Sequence, residues 1–285
     1  VTTELPKTLV NGKPGDTLSV YDRGTAYGHG VFETVRVRNG CPELWRRHLQ
    51  RLLEGCSRLA IQLPVQFESA LNKDIAELCG RGVDGVIKII ITAGSGGRGY
   101  LAPQEMQCQR VVSLFPMPAY PDLHSCEGVH IRTCDYRLAA NSRLAGIKHL
   151  NRLDQVMARA EWQDSAIAEG IVLDAVGNVI EGTMSNLFAV KNGELLTPSL
   201  DECGVRGVMR SFVLDTADAM GIKTREVSLT LDEFKSAQEL FLTNSVIGVW
   251  PVKQWDAQHY VRGAVTQRLQ QKVEALCHDA AGDRQ

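Results

Sequence analysis

The sequence predicts a mixed α/β (α+β) fold in two domains, and three observations carry that expectation. Short β-branched runs alternate with segments of helical period up to residue 116. A stretch holding Pro116, Pro118 and Pro121 then forbids regular structure. Beyond it, strands punctuated by tight turns lead into further helices. The expected organisation is a smaller N-terminal domain over 1–116, a linker over 117–126 and a larger C-terminal domain over 127–285.

Taken in order, residues 8–10 form a strand closed by Asn11-Gly12, the strongest short hairpin signal, and 18–21 continue it. Residues 22–30 read as a glycine-punctuated loop, and 31–37 as a strand ending at Asn39-Gly40. Residues 45–59 are helical because Leu49, Leu52, Leu53, Cys56 and Leu59 fall on one face, and 66–79 form a second helix. The β-branched run 86–92 is a strand that enters the glycine-rich loop 94–100, and 111–115 is another. In the second domain, strands are expected at 170–174, 179–181 and 186–190, joined by turns at 176–178 and 191–193. Helices at 209–220 and 231–237 and strands at 239–245 and 248–252 follow. Val265, Leu269, Val273 and Leu276 make the tail an amphipathic helix.

One segment organises the rest. Leu150, Leu153, Val156, Met157 and Ala160 recur at helical spacing, with Lys148 just ahead of them. A lysine at a helix N-terminus opposes the macrodipole, which favours the neutral, nucleophilic amine.

Composition excludes several classes. With 31 basic against 33 acidic residues there is no surplus for nucleic acid. No apolar run approaches a membrane span, and residues 1–6 lack the layout of a secretory leader. The eight cysteines form no C-x-x-C pair and no zinc spacing, so neither a metal nor a disulfide framework is expected. Their number fits a reducing, cytoplasmic compartment. Hydrophobic content of 44% supplies a sizeable core, and the expectation is a soluble enzyme acting on a small molecule.

Several residues are candidates for chemistry, and each also has a plain reading. Glu181 ends a strand next to Gly182, where a ring or backbone can approach closely; taken alone it reads first as a solvated strand-end acid. Gly204-Val-Arg-Gly207 precedes a helix whose first N–H groups, at Val208 and Met209, suit an anion, or simply cap the helix. Asn244 and Ser245 end a strand and can donate further hydrogen bonds. The loop Gly94-Ser-Gly-Gly-Arg98-Gly-Tyr100 is not a Walker A loop, because no Gly-Lys-Ser/Thr follows; its arginine suits a carboxylate. Arg51, beside the apolar helix face, either meets an anion or carboxylate or snorkels outward.

Together these segments resemble the fold-type IV pyridoxal-phosphate enzymes, a family that includes branched-chain and D-amino acid aminotransferases and aminodeoxychorismate lyases. The resemblance runs from Val10-Asn-Gly and Tyr27-Gly-His-Gly-Val-Phe-Glu through His48-Leu-Gln-Arg-Leu, Lys148 and Glu181-Gly-Thr-Met-Ser-Asn-Leu-Phe to Gly207-Val-Met-Arg210 and Pro251-Val252. The loop 94–100 and the stretch 144–153 resemble the lyases in particular. The resemblance implies a fold-type IV architecture, bound pyridoxal 5'-phosphate and a homodimer. It implies that Lys148 holds the cofactor covalently and that Glu181 pairs with the pyridine nitrogen. Arg51, Ser245 and the N–H groups of Val208 and Met209 are then the phosphate ligands. Thr34 is implied in proton transfer, where branched-chain transaminases carry glycine. Arg98 and Tyr100, where relatives hold a substrate carboxylate, and Tyr27 are the implied substrate contacts. The implied reaction splits aminodeoxychorismate into 4-aminobenzoate and pyruvate. Glu33, an acid the transaminases share, keeps a branched-chain or D-amino acid aminotransferase open as the alternative. A non-catalytic cofactor-binding protein is a further one.

Overall fold

The computed structural model describes residues 7–282; residues 1–6, read above for a leader, lie outside them. The chain forms two compact units. One runs to Pro118 and takes back the segment Lys148–Asn151; the other comprises Ala119–Ile147 and Arg152–Asp279.

The first unit is built on a six-stranded antiparallel sheet. Its strands are β1 (Lys7–Val10), β2 (Lys13–Pro14), β3 (Gly30–Arg38), β4 (Cys41–Pro42), β5 (Gly85–Thr92) and β6 (Gln109–Phe115), in the order β2-β1-β6-β5-β3-β4. Helices α1 (Arg23–Tyr27), α2 (Trp45–Arg58) and α3 (Phe67–Leu78) complete it. Strand β3 alternates: Val31, Glu33, Val35 and Val37 are buried, whereas Phe32, Thr34 and Arg36 are only half-buried. Helix α2 packs on β3 and buries Leu52 and Cys56. Ile87, Ile89 and Ile91 of β5 are fully enclosed, and Lys88 interrupts the run as its one exposed side chain.

Two local expectations change here. Residues 18–21 form no strand, and the expected loop at 22–30 contains the helical turn α1. The turn holds because both ends are capped. Asp22 accepts the Gly24 N–H at 2.7 Å, and Gly28 closes the turn in the left-handed region at φ 65°.

Segment 148–151 pairs with the start of β3. The Phe32 N–H donates to the Lys148 carbonyl and the Leu150 N–H to the Gly30 carbonyl, both at 2.9 Å. Gly30 is required there, since a Cβ would lie 2.5 Å from both the Ile91 carbonyl oxygen and a Leu150 methyl.

The second unit contains α4 (Leu123–Cys126), β7 (Val129–Leu138), α5 (Leu153–Arg159), β8 (Ile167–Asp174), β9 (Val179–Gly182), β10 (Asn186–Lys191), β11 (Glu194–Pro198) and α6 (Val208–Ala219). It continues with β12 (Thr224–Val227), α7 (Leu231–Lys235), β13 (Glu239–Asn244), β14 (Gly248–Trp255), β15 (Gln258–His259) and α8 (Ala264–Gly282). Its sheet runs β12-β11-β10-β13-β14-β7-β8-β9, with β15 on β14. At the centre Phe188 of β10 and Phe241 of β13 stack, ring centroids 4.9 Å apart.

The segment expected to be a linker, 117–126, carries the helical turn α4. Strands β7, β11 and β12 have no counterpart in the sequence expectation. Strand β7 mixes His130, Arg132, Asp135 and Arg137 into its apolar positions, and β12 is a short edge strand of mostly polar residues.

The helix expected after Lys148 also begins later, at Leu153, so the lysine sits on the extended segment beside β3. The macrodipole of α5 therefore does not activate the Lys148 amine, because a helix dipole acts only within the first turn. Nor is the periodic apolar stripe a core face: Leu153, Val156 and Met157 are 70%, 59% and 51% exposed, and only Ala158 of α5 is buried.

Candidate active site

In the first unit, Lys148 reaches across Phe32. Its Nζ stands 4.4 Å from the ring centroid, and Lys88 Nζ lies 5.8 Å from the same ring. Thr34, two residues along β3, shares that face and is the register partner of Lys88. One strand face thus carries an aromatic ring, a hydroxyl and two ammonium groups, a field suited to an anionic reactant.

The opposite face of β3 holds an ion pair with a histidine. Arg51 of α2 donates through Nε to Glu33 Oε1 at 2.8 Å and through Nη2 to Oε2 at 2.5 Å. His48 Nδ1 lies 2.6 Å from the same Oε2. Burial pushes the Glu33 carboxyl up, but the Arg51 guanidinium and the His48 contacts outweigh it and hold it at about 2. Burial lowers the His48 pKa, opposed by Glu33 and reinforced by Arg51 and Lys148. His48 is accordingly neutral at pH 7 and serves Glu33 through its Nδ1–H. Arg51 therefore has a carboxylate partner of its own in Glu33.

The glycine-rich loop of the first unit carries Arg98 and Tyr100, both exposed. Tyr27 meets it twice: its hydroxyl accepts the Gly99 N–H at 3.2 Å, and its ring lies 5.6 Å from that of Tyr100.

In the second unit, Glu181 is buried at the end of β9. Its Oε2 accepts the Val205 N–H at 2.8 Å and its Oε1 the Gln155 side-chain amide at 3.3 Å. The Asn186 amide donates to the Val205 carbonyl at 2.9 Å, and α6 begins three residues later. The first-turn N–H groups of Val208 and Met209 have no intrahelical partners, and Gly207, the N-cap, offers no side chain to cap them. The glycine is dictated by packing: a Cβ would lie 2.1 Å from Asn186 Oδ1. Ser245 stands in the turn after β13. Asn244 fixes that turn, donating to the Met184 carbonyl at 3.1 Å and accepting the N–H groups of Val246 and Ile247. The loop after Glu181 is held from beneath by buried Glu169, which accepts from Thr183, Met184 and Ser185.

The structure thus brings Lys148 and Thr34 to one face of β3, Tyr27 and Tyr100 to one loop, and Glu181 to the loop that starts α6. Arg51 is drawn to Glu33, on the face of β3 away from Thr34. Sequence reasoning missed Lys88, His48 and Gln155. His48 was legible in principle, lying four residues before Leu52 and eight before Cys56 on the buried stripe of α2.

The amino-transferase class IV family model matches residues 30–255. The chain belongs to the class IV aminotransferase family. An aminodeoxychorismate lyase of Vibrio harveyi is 35% identical over 266 residues, covering 92% of this chain and 97% of the relative. A putative branched-chain-amino-acid aminotransferase of Methanocaldococcus jannaschii is 31% identical over 280 residues, covering 95% and 96%. The crystal structure of 4-amino-4-deoxychorismate lyase from Pseudomonas aeruginosa superposes with a TM-score of 0.90 at 46% identity, covering 94% of this chain and 98% of that one. The mixed α/β class and the fold-type IV architecture expected from the sequence are borne out.

Class IV membership implies pyridoxal-phosphate dependence, and the donor set of this chain fits that group. A primary amine, a buried carboxylate and an uncapped helix N-terminus are all present. A buried polar atom, Gln155 Oε1 next to Glu181, has no hydrogen-bond partner among the described residues. Such atoms in folded proteins are expected to meet a ligand or water.

Proposed function

We propose that this chain is a pyridoxal-phosphate-dependent 4-amino-4-deoxychorismate lyase, releasing 4-aminobenzoate and pyruvate in folate biosynthesis. The observation that carries the reading is Thr34, a hydroxyl on the same strand face as the ring beneath Lys148. That position is glycine in the branched-chain transaminases of the sequence resemblance. The lyase relatives, matched over nearly the full chain, support it.

The bound cofactor supplies an electron sink for the substrate carbon that bears the amine. Lys148 would hold the cofactor, and its amine would then be the base that takes the proton from that carbon. The Glu181 carboxylate would hold the pyridine nitrogen in its protonated form. The Val208 and Met209 N–H groups, the Ser245 hydroxyl and the Arg51 guanidinium would hold the phosphate. Thr34 relays the proton that Lys148 has taken to the enolpyruvyl oxygen as the bond from that oxygen to the ring carbon breaks. Arg98, Tyr100 and Tyr27 bind and orient the substrate, with the Arg98 guanidinium on a carboxylate.

Glu33 does not favour the aminotransferase alternative, because it is committed to Arg51 and His48 on the other strand face. The reading includes a cytoplasmic homodimer. The exposed apolar side chains of α5 support a second copy, and the scattered thiols support a reducing compartment.

The test is a product assay on aminodeoxychorismate. Equimolar 4-aminobenzoate and pyruvate are expected, and Lys148→Ala should lose nearly all of the rate. Turnover of branched-chain or D-amino acids with none of aminodeoxychorismate would overturn the assignment. Sedimentation of a monomer at micromolar concentration would remove the dimer alone.

A further inference from the structure

Among the described residues, Arg23 is a buried arginine whose cationic head meets no carboxylate. It is 4% exposed, and among the described residues its partners are a histidine nitrogen, two carbonyls and a ring. Nε donates to His29 Nδ1 at 3.3 Å. Nη1 donates to the Gly99 carbonyl at 3.0 Å and Nη2 to the Tyr100 carbonyl at 2.8 Å. Its Cζ lies 4.9 Å from the Tyr27 ring centroid. Because the arginine can only donate, His29 Nδ1 accepts, and His29 Nε2 donates to the Leu59 carbonyl at 2.8 Å.

A guanidinium removed from water needs other dipoles to solvate it. Here two of those dipoles are consecutive carbonyls of the glycine-rich loop. The coupling is mutual: opening the loop strips the buried cation of its acceptors, so the cation holds the loop shut. Additional bonds fix the near end. The Arg23 N–H donates to the Gly94 carbonyl at 2.9 Å, and a Cβ on Gly96 would lie 2.9 Å from Arg23 Cδ. Arg98 sits between these anchors, flanked by Gly97 and Gly99, where a Cβ would meet nothing within 4 Å. The glycines on either side give Arg98 no support of their own.

We propose that Arg23 is a positioning residue for substrate recognition, clamping the backbone at Gly99 and Tyr100 so that Arg98 is presented in one orientation to a substrate carboxylate. The proposal rests on the reading of Arg98 as a substrate contact. Arg23 itself lies beneath the loop and acts only through it.

The test compares three holoenzyme variants. Arg98→Gln removes the contact and should raise KM about tenfold or more. Arg23→Lys keeps the charge but cannot span two carbonyls and a histidine nitrogen. Gly96→Ala wedges a methyl against the arginine stem in a half-buried loop, where it threatens folding little. Both should raise KM about five- to tenfold with kcat within about twofold. Both should also speed tryptic cleavage after Arg98 by about tenfold, measured by fragment mass. If Arg98→Gln raises KM while the other two change neither KM nor cleavage, the clamp is wrong and the substrate reading stands. If Arg98→Gln leaves KM unchanged, that reading falls and the proposal falls with it.

Discussion

Arg51 meets both oxygens of Glu33, through Nε at 2.8 Å and Nη2 at 2.5 Å, so helix α2 and strand β3 are joined by a forked ion pair. The acid is 1% exposed, and removing its charge leaves the guanidinium facing a neutral amide. Glu33→Gln should cost about 3 kcal/mol, by the measured cost of breaking buried pairs. Thermal melting should fall by roughly 6–10 °C at pH 7. A change within about 1 °C would mean that the pair contributes no net stability.

The same pair sets a pH dependence. Glu33 is held at about 2, below the ordinary 4.5 for a glutamate, so its stabilisation is complete above 4.5 and is lost as pH falls towards 2. His48, lowered below its ordinary 6.5, acts in the same direction, beginning near 6.5, because the unfolded chain binds the proton first. Urea midpoints of the wild type should therefore decline from about pH 6.5 and steepen below 4.5. Glu33→Gln should start lower at pH 7 and be flatter between 4.5 and 2. Parallel curves for the two proteins would contradict this assignment.

Glu181→Gln keeps the shape of the side chain and removes the charge assigned to the pyridine nitrogen. The rate should fall on the order of a hundredfold or more, as for loss of a single electrostatic contact in an active site. Borohydride should still fix the cofactor to Lys148, since the amine is untouched. Wild-type kcat in this variant would assign the carboxylate a purely structural role.

Gly207→Ala probes the phosphate end. The backbone at φ −65° tolerates alanine, but the new methyl would lie 2.1 Å from Asn186 Oδ1. Displacing that contact should cost about 1–3 kcal/mol and shift the first turn of α6. Cofactor affinity, titrated into apoprotein, should weaken together with the melting temperature. Unchanged affinity would argue against Val208 and Met209 as phosphate ligands.

Much of this was legible beforehand because periodicity and turn chemistry are local. The β-branched run of β5, the stripe of Leu52 and Cys56 on α2 and the Asn11-Gly12 turn all formed near their expected places. Strand β12 was not legible, since a polar edge strand takes its structure from a neighbour rather than from its own residues. Helix α1 escaped notice because its stability comes from Asp22, whose second oxygen accepts from Thr92, seventy residues away.

By itself the sequence determined the mixed α/β class and a set of spaced residues, Lys148, Glu181, Thr34, Arg51 and Gly207, that resemble one family. Those follow from side-chain chemistry and short-range order. Only the tertiary structure decided that Lys148 stands on an extended segment over Phe32 rather than on a helix, and that Glu33 serves Arg51 rather than the face of Thr34. Strand alternation sends Glu33 and Thr34 to opposite sides. Which partner waits on each side depends on packing between residues far apart in the chain.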